Sequence, residues 1–439
     1  MAQGIGRRQP DVVRGAMRTI LSNTAGVNAR VTQQGELVVA TKSGSSGVGI
    51  TFSDTGAIDP FNRLRVSNPQ GLFDSTLTYD SQPLFWNESL TGTGTATHLP
   101  GESAVIFSLP ASGDAVVRQT REYYRYQAGK GQLILATFAL RSGDANVRKR
   151  VGYFDADNGL FLEEINGSLW FVRRSNATGT PVDTRIAQAD WNIDTYSDLD
   201  PTKAQILVID LEWLGVGRVR MGFVIDGLIR YAHEFLHANV VESVYMSTAQ
   251  LPMRYEAVAT GAPSATNTMK QICSAVISEG GQEESAGLPF GARSAATKSI
   301  SGSKIPLVSI RPKTTFNSIE NHVKILQRQF EATNVSNGVA AVDILYNATL
   351  TNASFNSVGA NSAMEFDVAA TASSGGIVIQ SFFIASQGSV RETRATDSTG
   401  VLPLGLDIAG ANPTPLTIAV TDISGSVDCL GAINWQEYR

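Results

Sequence analysis

The stretch from Val216 to Phe235 constrains this chain more than any other. Two runs rich in Val, Ile, Phe and Tyr flank Asp226-Gly227. A two-residue Asp-Gly loop suits a type I′ turn, in which both central residues take positive φ. Such a loop sets Ile225 opposite Leu228 and Gly222 opposite Tyr231, and a ring over a cross-strand glycine is a sound sheet pairing. Upstream, the apolar run Ala204 to Leu214 adds a strand. Three consecutive antiparallel strands of this kind read as the middle of a β-sandwich.

The same stretch contains His233-Glu234-Phe235-Leu236-His237, which fits the H-E-x-x-H pattern of zinc proteases. That pattern works on a helix, where residues i and i+4 lie one above the other. On a strand the two imidazoles sit roughly 13 Å apart, at about 3.3 Å per residue. Zn–N bonds of about 2 Å do not span that gap. The Asp-Gly turn keeps the chain in strand to Phe235, so the histidines read as partly exposed strand and loop residues, with no metal expected.

At 439 residues the chain has room for two or three cores. Charged residues make up 17%, below the usual share of about 25%, and there are 41 glycines. Low charge with many small polar residues fits an all-β protein that hides surface in an assembly. A formal net charge of −5 argues against nucleic acid as the main partner. Arg148-Lys149-Arg150, a short basic cluster, reads as a solvated turn. Cys273 and Cys429 read as free, buried thiols, because two distant cysteines form neither a metal pattern nor a disulfide framework. No signal-peptide apolar region follows Met1, and no run of 18 apolar residues offers a membrane span.

In chain order, residues 1–60 read as an N-terminal docking arm. It holds a short amphipathic helix carrying Val12, Val13, Met17, Ile20 and Leu21, then two short strands, Asn28 to Thr32 and Glu36 to Ala40. Residues 61–285 read as one β-sandwich, with strands such as Val116–Tyr126, Gly159–Ile165 and Met253–Ala259 and a second type I′ hairpin at Asn166-Gly167. Asn267–Ser278 fits helix or strand, with strand preferred. Residues 286–304 are small and polar and read as a linker. Residues 305–439 read as a second sandwich, with strands at Pro306–Arg311, His322–Thr333, Ala341–Asn347, Met364–Val368, Gly376–Ser386, Leu416–Asp422 and Leu430–Tyr438. The fold class expected is therefore all-β: two antiparallel, jelly-roll-like sandwiches preceded by an arm.

Linear catalytic motifs are scarce. There are four histidines, His98, His233, His237 and His322, and no G-x-S-x-G elbow or Walker loop. Asp155-Ala156-Asp157-Asn158-Gly159 misses the EF-hand pattern, which puts glycine sixth and glutamate twelfth. It reads as a hairpin turn. The acidic pairs Glu163-Glu164 and Glu283-Glu284 are adjacent, so on a strand their side chains point to opposite faces. A glycosidase needs two carboxylates on one site, and different strands can supply them. Trp86, Trp191, Tyr196 and Tyr245 are candidates for stacking on sugar if exposed, or for core if not. No catalytic, cofactor-binding or metal residue is assigned.

Asp59-Pro60-Phe61-Asn62-Arg63-Leu64-Arg65-Val66-Ser67 with Phe73-Asp74-Ser75, Glu212 through Arg220, Gly222 through Gly227, His233-Glu234-Phe235 and Tyr245-Met246-Ser247-Thr248 resemble uncharacterised structural proteins of tailed bacteriophages. The resemblance covers roughly residues 55–285 and, more loosely, the C-terminal half. It implies a virion component (fibre, spike, collar or capsid decoration), made in the host cytoplasm. It also implies a homotrimer whose arm docks on capsid, neck or tail proteins. The expectation is a non-enzymatic structural subunit with no cofactor. A host-glycan receptor is the alternative, and a glycan depolymerase is ranked below it.

Overall fold

The computed structural model describes residues 29–31, 37–39, 68–281, 287–388, 392–398 and 402–439. The amphipathic helix expected near Val12, most of the arm, and Glu283-Glu284 lie outside the described residues. Ala29–Val31 and Leu37–Val39 pair antiparallel, at the positions where two short strands were expected.

The central hairpin forms as its sequence requires. Asp226 and Gly227 have φ of 53° and 76°, and Ile225 pairs with Leu228. Gly222 pairs with Tyr231. A methyl group on Gly222 would lie 2.1 Å from the Arg230 carbonyl oxygen, so the close strand approach depends on glycine here. One residue further, the ladder shifts register, because Met221 pairs with His233 and Ala232 bulges out. The second hairpin turns at Asn166 and Gly167, with φ of 53° and 79°.

Two sheets make the first sandwich. One has seven strands in the order Val182–Ala187, Ser168–Ser175, Gly159–Ile165, Val147–Phe154, Met253–Ala259, Ala115–Thr120 and Trp86–Thr91. The other has eight, including Leu228–Phe235, Val219–Ile225, Ala204–Leu211, Gln132–Ala139 and Asn267–Ser278, with Gln70–Ser75 added on the last of these. Strand alternation turns Ile134, Ala136 and Phe138 inward from the eight-stranded sheet. Leu160, Leu162, Phe171 and Tyr255 meet them from the seven-stranded one. Asn267–Ser278 is a twelve-residue strand. The strand expected over Val116–Tyr126 stops at Thr120, because residues 121–126 turn aside and Tyr124 bridges Leu251.

The second sandwich packs a five-stranded sheet on a six-stranded one. Ile325, Phe330, Ile433 and Trp435 face Val308, Ile310, Val342, Ile344 and Ile418 across its core. All seven strands expected in this half are present within a few residues of their expected ends. Leu288–Arg293 and Lys298–Ile300, within the stretch read as a linker, are strands paired with Val427–Tyr438. Every strand pairing among the described residues is antiparallel, and the expected all-β sandwich class holds. No helix among the described residues is long and apolar enough to cross a membrane.

The sandwiches meet through Asn87, residues 121–125 and Gln250 on one side and residues 320–324, 402–407 and 438–439 on the other. His322 stacks on Tyr123, Lys324 Nζ pairs with Glu122 Oε1 at 2.6 Å, and Asn87 Nδ2 donates to the Leu406 carbonyl at 3.2 Å. The guanidinium of Arg125 lies 5.6 Å over the Tyr438 ring.

Candidate functional site

The H-E-x-x-H histidines hold separate partners. The bulge at Ala232 turns His233 to the core side with Met221, while Tyr231 stays on the outer face and donates to Asp210 Oδ2 at 2.7 Å. His233 Nδ1 accepts the Asn192 N–H at 3.2 Å. His237 lies past the strand end, with Nδ1 2.6 Å from the Gly217 carbonyl, and its ring stacks on Tyr245 at 3.9 Å. The expectation of partly exposed histidines is corrected, because both are buried. Burial holds His233 below its ordinary range and takes His237 down to about 4, so both are neutral at pH 7. Among the described residues, no group of three or more His, Cys, Asp or Glu side chains is placed to hold a metal ion.

Glu163 and Glu164 point to opposite faces, as adjacent strand residues must. Glu164 faces the core side and pairs with the fully buried Lys149 at 3.6 Å. Burial pushes Glu164 up and Lys149 down. Glu163 lies on the outer face, in one cross-strand row with Arg150 and Glu256. Arg150 sits between them, at 2.7 Å from Glu163 and 3.2 Å from Glu256. The intervening guanidinium occupies the space between the two carboxylates. Burial opposes ionisation of Glu256, but Arg254 and Arg150 hold its carboxyl below the ordinary value. These two carboxylates act as counter-ions. Arg148-Lys149-Arg150 is thus no solvated turn; it lies on the central strand Val147–Phe154.

The aromatic candidates are mostly core. Trp86, Trp191 and Tyr245 are buried, and Tyr196 packs against the same cluster. Cys429 is buried and its thiol is pushed up to about 12, chiefly by burial, whereas Cys273 is only partly buried, against expectation, with its thiol also raised by burial. His98 Nε2 lies 2.8 Å from the Leu77 carbonyl. Asp155 to Gly159 makes a hairpin turn in which Asp155 Oδ1 accepts the N–H groups of Asp157 and Asn158 at 2.8 Å.

Two concave regions bear on the site. The junction crevice beside His322 is tight, about 30 Å³, and is lined by Tyr123, Asn321, His322, Lys324 and residues 403–406. Near it, burial and the charges of Asp155, Asp157 and Asp407 raise the carboxyl of Glu320, and burial raises that of Asp155. A carboxyl group raised in this way can carry a proton closer to neutral pH.

The roomier region is an open groove of about 550 Å³ on the outer face of the five-stranded sheet. A cross-strand row of Gly291, Asn434, Gln329 and Asp397 forms its floor. The ladder slips between Gln327 and Gln329, and Arg328 is the extra residue. This bulge brings Arg328 beside Gln436, Nε to Oε1 at 2.8 Å, next to Gln329. A methyl group on Gly291 would lie 2.5 Å from Asn434 Oδ1, so glycine here makes room for the amide. Pro289 and Phe290 supply apolar surface along the wall. None of these residues stood out in the sequence. The available signal was the alternation of Asn434 and Gln436 with Ile433 and Trp435.

No family model matches the chain, and no curated protein matches it. Solved structures similar to it are mostly glycan-processing enzymes. A β-1,3-glucanase from Mycobacterium marinum is 13% identical, with a TM-score of 0.33, and covers 47% of this chain and 98% of its own. The Crh5 transglycosylase in complex with NAG is 14% identical, with a TM-score of 0.33, and covers 48% and 84%. The CBM2 module of the evolved Dit of Lactobacillus casei BL23 phage J-1 is 7% identical, with a TM-score of 0.32, and covers 50% and 100%. These are likenesses of fold alone. The expectation of a non-enzymatic structural subunit is corrected here: the similar structures are mainly glycoside hydrolases and transglycosylases, a likeness that assigns this chain no activity, and a missing linear motif is no ground for excluding chemistry on a β-sandwich.

Proposed function

We propose that this chain is a saccharide-recognising protein whose ligand lies in the groove over Gly291, Asn434, Gln329 and Asp397. The observation that supports it is the floor itself: two amides and a carboxylate in one row, flanked by Arg328 and Gln436 and by the apolar Pro289 and Phe290. Amide and carboxylate groups of this kind offer paired donors and acceptors to vicinal hydroxyls, in a concavity of ligand size. Binding to immobilised glycans, followed by calorimetry on the hits, tests the reading. Asn434→Ala and Gln329→Ala are expected to weaken binding while leaving the melting temperature in place. A chain that binds no glycan, or binds equally well with both residues replaced, overturns it.

Cleavage of a bound glycan is a second reading, favoured by the raised carboxyls of Glu320 and Asp155 at the junction. Release of reducing ends from polysaccharide, lost in Glu320→Gln, supports it; release unchanged in that variant removes Glu320 from the reaction.

Phage origin, a place in the virion and self-association rest on the sequence resemblance at residues 59–75 and 212–248. They are part of the proposal. Mass spectrometry of purified virions and the native mass of the protein test them.

A further inference from the structure

We propose that the outer face of the seven-stranded sheet holds an oxyanion site centred on Arg148, for the carboxylate or sulfate group of an anionic ligand. The inference stands apart from the groove, on a different sheet and a different sandwich. Cross-strand register puts the side chains of Arg148, Arg150, Arg174, Arg185 and Arg254 on this one face, together with those of Glu163, Asp183 and Glu256. Five guanidinium groups therefore meet three carboxylates.

The carboxylate oxygens are already engaged before Arg148 is reached. Glu163 accepts from Arg150 and from Arg185, each at 2.7 Å. Asp183 accepts from Arg174 and Arg185, both at 2.8 Å. Glu256 gives Oε2 to Arg254 at 2.7 Å and Oε1 to Arg150 at 3.2 Å. Arg148 has only a 3.8 Å approach to that same Oε1. Its Nε–H is buried and has no acceptor among the described residues. Asp155, at the end of the sheet, has Oδ1 taken up by backbone N–H groups of its own turn.

A guanidinium that shares one distant carboxylate with Arg150, and whose buried Nε–H has no acceptor, is an under-compensated, partly desolvated charge. Its side chain is 30% exposed, so an anion can reach it from solvent. The neighbours in its row are Ile165 and Val258, with Ser168 beyond, and none of them is a competing carboxylate. The planar fork of arginine suits a carboxylate or sulfate held by two parallel bonds.

The test uses the full chain, labelled with nitrogen-15. Glucuronate and sulfate are titrated separately at fixed ionic strength against chloride, with glucose as the uncharged control. One arginine Nε–Hε resonance, absent from Arg148→Lys, is expected to move saturably. By calorimetry Arg148→Gln is expected to bind at least about tenfold more weakly, as loss of a charge-assisted pair implies. Response to glucuronate alone assigns a planar carboxylate, and response to sulfate alone a tetrahedral group. No saturable response to either anion, an equal response to glucose, or undiminished binding by Arg148→Gln overturns the proposal. Should the variants not fold, the wild-type titration decides: no moving arginine Nε–Hε resonance overturns it.

Discussion

The ring of His322 lies flat on that of Tyr123, with centroids 3.6 Å apart and planes 6° from parallel, and this stack joins the two sandwiches. Burial takes the His322 imidazole down to about 4 from its ordinary 6.5. The folded state therefore binds this proton less readily than the unfolded chain, and the same holds for His237. Stability is fully present above pH 6.5 and is lost as pH falls from 6.5 towards 4. Each histidine contributes up to about 3 kcal/mol to that loss, at about 1.4 kcal/mol per pKa unit. Urea unfolding at pH 7 and pH 4.5 measures it. His322→Phe, which keeps a ring on Tyr123, is expected to flatten the dependence; an unchanged slope would remove His322 as its source.

The two glycines of the central hairpin are expected to respond differently to alanine. At Gly227 nothing lies within 4 Å of the added methyl, so only the positive φ costs, about 1–2 kcal/mol. At Gly222 the methyl meets Arg230 and Tyr231 backbone at 2.1 and 2.6 Å, which side-chain motion does not relieve. Gly222→Ala is therefore the more damaging change, by thermal melting or by yield of soluble protein.

The ion pairs are ranked by burial. Glu163→Gln leaves Arg150 and Arg185 short of a counter-ion at a buried site, a loss of about 3–5 kcal/mol. Glu102→Gln, in the exposed half of the pair with Lys270, is expected to change stability by less than about 1 kcal/mol. Equal effects in denaturant titrations would mean that the outer-face network is open to water.

The groove predicts its own graded loss. Gly291→Ala displaces the Asn434 amide and is expected to weaken saccharide binding about as much as Asn434→Ala does, roughly three- to tenfold for one hydrogen bond. Calorimetry checks both variants against one ligand.

The thiols are expected to react in order. Cys273 is partly exposed, and Cys429 is buried with its thiol pushed up to about 12. A thiol reagent at pH 8 titrates Cys273 in the native protein and reaches Cys429 only on unfolding. Simultaneous reaction of both would contradict the burial of Cys429.

Local order in the chain was legible in the sequence because its causes are local. Asp226-Gly227 and Asn166-Gly167 take positive φ and close tight hairpins, and alternating apolar residues mark strands such as Met253–Ala259. Strand spacing alone argued against a shared metal at His233 and His237, but the strand ends at Phe235, so the setting of His237 came from the loop beyond it. What each side chain faces was decided elsewhere. A bulge at Ala232 turned His233 inward, and a bulge at Arg328 brought it beside Gln436 over the groove. Arg148, Arg185 and Glu256 are far apart in sequence and share a face only because five strands align in register. Strand order and bulge position depend on the packing of whole sheets. No window of a few residues encodes them, so the charged face, the groove and the Tyr123–His322 junction belong to the tertiary structure alone.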